Sequence, residues 1–146
     1  MDPGNFQGSP PTPPDNTEND KELKSAFMIG KEGVCHDYFN QIHSIEMNCQ
    51  LLLSSTPLNP QTEEEIRGEL LEDLEKCISY SEYFEMVSKN PKAALAFKKF
   101  LTDKGKEDWK RLDEIVVEIK SITSLERSDL EKLTGLLEEA KSLLPD

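Results

Sequence analysis

The chain has 146 residues, 32% of them charged and 36% hydrophobic, with 29 acidic against 17 basic side chains and a net charge of −12. One domain with a modest core and a heavily solvated surface follows from these values. Phosphate backbones and anionic membranes both need clustered Lys and Arg, so no nucleic acid and no membrane are expected as partners.

The first residues lack a basic start leading into an apolar stretch, so no signal peptide is expected, and no run of eighteen apolar residues reads as a membrane span. Residues 1–18 hold five of the nine prolines and one large apolar side chain, Phe6. That composition predicts a disordered, Pro-rich tail. A long first helix is then predicted from about Asp20 to Ser54, roughly 50 Å at 1.5 Å per residue. Its apolar positions are Met28, Cys35, Tyr38, Ile42, Ile45, Cys49 and Leu52. From Cys35 the spacing alternates three and four, the mark of a seam facing a partner helix. Gly30 and Gly33 weaken the early part and allow either a kink or a close approach.

Residues 55–60 read as a turn, and Asn59-Pro60 is a cap followed by proline at the first helical position. A second helix is predicted to run unbroken to about Lys89 on Ile66, Leu70, Leu74, Cys77, Ile78, Phe84 and Val87, giving an antiparallel hairpin over residues 19–89. Residues 90–146 are expected to pack on it as three shorter helices. Asn90-Pro91 starts the first of these, and Asp103–Lys106, with Gly105 inside, is expected to break it. The next carries Trp109 to Ile122. Ser128-x-x-Glu131 is expected to cap the last, which Pro145 closes. The fold class is therefore all-α, a helical bundle with a four-helix core formed within the chain or by dimerisation. The odd number of cysteines (Cys35, Cys49, Cys77), set in apolar helical patterns, predicts reduced core thiols and a cytoplasmic protein.

Most catalytic constellations are excluded. The sequence has no Gly-rich phosphate loop, no serine elbow and no Cys pair at zinc spacing. His36 and His43 lie two turns apart on one helix, with Glu32 and Glu46 nearby. Both histidines fall off the apolar seam, whereas a bundle metal site needs ligands converging inward, so no metal and no cofactor are expected. With Cys35, Ile42 and Cys49 at seam position a, His36 falls at b, displayed on the flank beside Asp37. Periodicity alone makes it an ordinary surface residue. An imidazole displayed this way is also accessible as a nucleophile toward phosphorus.

The stretch Gly33-Val34-Cys35-His36-Asp37-Tyr38-Phe39-Asn40-Gln41-Ile42, continuing to Leu51-Leu52-Leu53, resembles the phospho-accepting helix of two-component histidine kinases. It is most similar to the group reading G-G-I/V-A-H-D-F-N-N-L-L. Gly33, Val34, His36, Asp37 and Asn40 match; Cys35 stands for alanine and Gln41 for an aliphatic residue. The resemblance covers about residues 22–89, and only the first half carries a specific motif. It implies that the hairpin dimerises into a four-helix bundle, that His36 is the phospho-acceptor and that Asp37 is the adjacent acid/base. It places Asn40 where a side chain aids transfer or positions water. The implied partner is a response-regulator receiver domain. A full kinase continues into an ATP-binding α/β domain, but the residues after the hairpin read as helical, without a nucleotide-binding signature. Phosphorylation from ATP is therefore not expected. The expected function is histidine phosphotransfer; the alternative is a non-catalytic helical interaction module that kept the scaffold without the chemistry.

Overall fold

The structure, a computed structural model, describes residues 12–144, with side chains from residue 19 onward. It consists of six helices: α1 (Thr12–Leu53), α2 (Pro60–Lys76), α3 (Tyr80–Val87), α4 (Pro91–Phe100), α5 (Asp103–Lys120) and α6 (Arg127–Leu143). The fold is all-α, as the periodicity predicts. Helix α1 begins at Thr12, earlier than the start expected at Asp20. Pro13 and Pro14 fall in its first turn, where a helix tolerates proline because those N–H groups have no partner. Of the expected tail, residues 1–11 lie outside the described residues.

The second arm of the hairpin is not one helix. Cys77 leaves the helical region with ψ 132°, and Ser79 caps a new helix by accepting from the Glu82 N–H at 3.1 Å. The break is held by Gln41 of α1. Its amide donates to the Ile78 carbonyl and accepts from the Ile78 N–H, both at 2.8 Å, and its Oε1 also accepts from the Tyr83 hydroxyl at 3.1 Å. A backbone opened between two helices needs such partners, because unpaired buried amides are costly.

The remaining boundaries follow local capping. Asn59 Oδ1 accepts from the Gln61 N–H and Asn90 Oδ1 from the Lys92 N–H, each at 2.9 Å with proline next in the chain. Asp103–Lys106 is the first turn of α5 and not a breaker. The chain turns instead at Leu101–Thr102, where the Thr102 hydroxyl accepts from the Gly105 N–H at 3.0 Å. The cap of α6 lies two residues before the expected Ser128–Glu131 pair. The Glu126 N–H donates to Asp129 Oδ2 at 3.2 Å, so α6 gains two further residues at its start.

Helix α1, the α2–α3 arm, α5 and α6 form a four-helix bundle from a single chain. Tyr38, Ile42, Ile45 and Cys49 of α1 meet Leu70, Leu74 and Cys77 of the second arm, Ile115 and Ile119 of α5, and Leu133 and Leu137 of α6. All are essentially inaccessible to solvent. Each such apolar side chain contributes about 1.5–3 kcal/mol by leaving water. Helices α5 and α6 thus cover the apolar seam of the hairpin. They are joined to each other by Arg111, whose guanidinium grips the Glu139 carboxylate (Nη2 to Oε1, 2.7 Å).

Helix α4 packs against the N-terminal half of α1. Phe97 stacks edge-on to Phe27, with ring centroids 5.1 Å apart, and continues into Phe84 and Trp109. Gly30 makes that approach feasible, because a Cβ there would sit 2.9 Å from the Phe97 ring. Gly33 has open space around its Cβ position. Among the described residues, no helix is long and apolar enough to cross a membrane.

Gly30→Ala is expected to destabilise the fold by about 1–3 kcal/mol through overpacking. Gly33→Ala should stabilise it by about 0.5–1 kcal/mol through helix propensity. Urea denaturation of the pair separates the two effects. Gln41→Ala leaves the Ile78 amide groups unpaired and should cost about 1–3 kcal/mol in the same measurement.

Candidate functional site

The rotational setting of α1 decides what the site presents. Cys35 and Tyr38 are buried, and the Tyr38 hydroxyl donates to the Leu112 carbonyl at 3.0 Å. Successive helical residues turn by about 100°, so His36 emerges on the opposite flank. It is exposed, as the heptad reading predicts. One turn on, Asn40 is also exposed, with its Nδ2 3.2 Å from His36 Nε2. When that amide donates, Nε2 is the acceptor and Nδ1 carries the ring proton.

Asp37 is exposed but turned the other way, toward α3. Its charge contributes to raising the Tyr83 phenol to about 12, behind burial and Cys77. The structure therefore brings together His36 and Asn40 of the three residues singled out, and leaves Asp37 on the adjoining flank. His43 stacks parallel on Phe39, with ring centroids 5.7 Å apart, and its Nδ1 lies 3.8 Å from Glu46 Oε1. Glu46 is nearly buried and bound to Lys141 of α6, whose Nζ donates to both carboxylate oxygens at 2.7 and 3.0 Å. Among the described residues, no three His, Cys, Asp or Glu side chains gather as a metal site.

A groove of about 460 Å³ opens beside His36. Met28, Lys31, Glu32 and Phe39 of α1 line it with Leu144, which follows α6. Periodicity gives no sign of it, because Met28 counts there only as one more apolar position of the first helix, ahead of the seam that starts at Cys35. Met28 is 61% exposed, and Phe27 turns inward in its place to meet Phe97 and Phe100. The available signal was the phase of the seam: extended backwards from Cys35 by four and three residues, it reaches Lys31 and Met28, whereas the aromatic partners on α4 draw Phe27 inward. Leu144 could not be placed by any local signal.

All three thiols are reduced and buried. Burial pushes Cys49 and Cys77 up to about 12 and raises Cys35, whose Sγ lies 3.4 Å from the Tyr80 hydroxyl. These groups favour the folded state while neutral. The unfolded chain ionises first, near the ordinary thiol range of about 8.5, so stability is complete below that pH and is lost as pH rises toward 12. Urea midpoints should fall above about pH 9, with a slope of about 1.4 kcal/mol per pH unit for each of Cys49 and Cys77. Below about pH 10, before the raised phenols of Tyr38, Tyr80 and Tyr83 contribute, Cys49→Ser with Cys77→Ser should remove the part of the slope due to these two thiols and leave that of Cys35. Compared with protein-family models, with curated proteins and with solved structures, the chain gives no match.

Proposed function

We propose that the protein is a histidine phosphotransfer module of a two-component-type relay, exchanging a phosphoryl group between His36 and an aspartate on a response-regulator receiver domain. The observation that carries this reading is the exposed His36 imidazole, in contact with Asn40 on the flank of a helix whose other side is locked into the core. The resemblance of residues 33–42 to the phospho-accepting helix of histidine kinases supports it. So does the open groove, because a protein donor must bring its phosphorus in line with a ring nitrogen.

In this reading Nε2 attacks the phosphorus of an aspartyl phosphate. The N–P bond forms as the P–O bond breaks, and the aspartate leaves as carboxylate. The ring keeps its proton on Nδ1 and gains positive charge; the resemblance assigns the stabilising carboxylate to Asp37, which here lies on the adjoining flank and has to act across it. The Asn40 amide occupies the Nε2 lone pair in the resting state, so it swings aside before attack. Once free, it donates to a phosphoryl oxygen. Transfer to the receiver is the reverse sequence. The setting proposed for this exchange is the cytoplasm.

A second reading, a non-catalytic interaction module, is favoured by one observation. Met28, Ile29, Met47 and Leu51 of α1 are 61%, 70%, 52% and 44% exposed, more apolar surface than one helix flank needs.

Mixed with a phosphorylated receiver domain, the protein should acquire an acid-labile, base-stable label that His36→Gln abolishes. Asn40→Ala should retain the label but slow its formation by about tenfold or more. ATP alone should give none. No label in the wild-type protein, or equal label in His36→Gln, overturns phosphotransfer. A pulled-down partner that survives His36→Ala would then favour the interaction module.

A further inference from the structure

The carboxylate that the resemblance assigns to His36 is not the one that the fold sets beside it. Adjacent helical residues diverge by about 100°, and residues four apart by only about 40°. Asp37 therefore leaves the flank of His36 and turns toward α3, where its charge reaches the Tyr83 phenol. Glu32, one turn before His36, stays on that flank, and the two side chains line the same groove of about 460 Å³. Asn40 stands one turn after His36 and contacts Nε2, so Nδ1 and its proton are left to the preceding turn. Gly33 puts no side chain into the space between, and nothing lies within 4 Å of the position its Cβ would take. The other carboxylates of α1 from Asp20 onward are engaged elsewhere. Asp20 is paired with Lys99, Glu22 lies 3.0 Å from Lys92, and Glu46 is held by Lys141. Lys31, the one lysine in the groove lining, is set over the Phe27 ring, 5.6 Å from its centroid.

We infer that Glu32, and not Asp37, is the carboxylate that serves His36 in the exchange. It accepts the hydrogen bond of Nδ1–H, which holds the ring in the tautomer whose Nε2 carries the lone pair, and it balances the positive charge that the ring gains. The inference rests on the phosphotransfer reading of His36. A carboxylate four residues before a cationic side chain is the favourable order on a helix, whereas adjacent residues do not face each other. As the Nε2 lone pair forms the N–P bond, the P–O bond breaks and its electron pair leaves with the receiver's aspartate. The Nδ1 proton stays on the ring throughout, and Glu32 takes none. Glu32 is thus a positioning residue: it touches the imidazole and not the phosphoryl group. In the free protein the pair is exposed and weak. A receiver seated over the groove displaces water from it, and the same charge then acts at lower dielectric, where it matters most.

The tautomer is read on the protein alone. Imidazole nitrogen shifts in NMR distinguish protonated from bare ring nitrogens, and His36→Gln identifies which of the two histidines gives each signal. At about pH 9, above the ordinary imidazole range, His36 should be mainly the Nδ1–H form. Glu32→Ala should lower the ratio of Nδ1–H to Nε2–H about two- to fivefold, the effect of an exposed pair. Glu32→Gln still accepts that hydrogen bond and should largely keep the tautomer. With whichever receiver domain of a panel labels the wild type fastest, Glu32→Gln should nonetheless slow transfer about tenfold or more, because the charge is gone. Asp37→Asn should slow it less, and Glu32→Asp, which keeps the charge, should recover most of the rate. Circular dichroism checks that each variant keeps its helix content. A tautomer ratio that Glu32→Ala leaves unchanged overturns the inference, whether or not any receiver labels the protein. So does a labelled protein in which Glu32→Gln transfers at the wild-type rate, or in which Asp37→Asn is the slower of the two; both results leave the phosphotransfer reading standing. A wild type that no receiver labels overturns that reading, and the assignment to Glu32 with it.

Discussion

Tyr38 stands where the helices of the bundle meet. Its ring is fully buried, 5.8 Å from Tyr80 and 6.4 Å from Tyr83 of α3, and its hydroxyl donates to the Leu112 carbonyl of α5 at 3.0 Å. A phenol that buries its ring and satisfies its hydroxyl on a different helix fixes both the rotation and the height of α1. The display of His36 two residues earlier depends on that fixation. If α1 rotated by half a turn, the imidazole would enter the core and the seam would face water. Burial also raises the Tyr38 phenol far above its ordinary range, so the anchor stays neutral and keeps its donor.

Around this anchor, the second arm makes a compromise. An unbroken helix from Pro60 to Lys89 would have to keep one straight face against α1 over its whole length. The break at Cys77–Ser79 lets α2 and α3 pack independently, α2 through Leu70 and Leu74 and α3 through Tyr80. The opened backbone is stitched by Gln41, one turn after Asp37 on α1. An aliphatic side chain at that position suits a continuous hairpin; a glutamine suits a broken one. Gln41 thus has a structural task in this chain that an aliphatic side chain could not perform.

The packing of α4 on α1 also pairs charges between the two helices. Helix α4 is rich in lysine, and by pairing with Asp20 and Glu22 it removes acids from the front of α1. Exposed pairs of this kind contribute little to stability, about 0–1 kcal/mol each. Their larger effect is on the field that a second protein meets. The close contact of α4 with α1, permitted by Gly30, thereby also shapes the electrostatics of the N-terminal part of α1.

Much of this was legible in the sequence, for local reasons. The 3–4 spacing from Cys35 to Leu52 determined the seam, and the seam determined that His36 faces out, because a helix repeats every 3.6 residues whatever packs against it. Asn59-Pro60 and Asn90-Pro91 set two helix starts through caps that need no tertiary partner. Other features required the fold. The second arm breaks because a side chain 37 positions away supplies its amide partners. Phe27 turns toward α4, and Met28 is left exposed, because the rings of Phe97 and Phe100 are there to meet it. Asn40, rather than Asp37, meets His36 because residues one turn apart share a flank and adjacent ones do not. The groove depends on Leu144 arriving from the far end of the chain. Periodicity states which face of a helix is buried; only tertiary packing decides what covers it, where it opens and which charges remain at the opening.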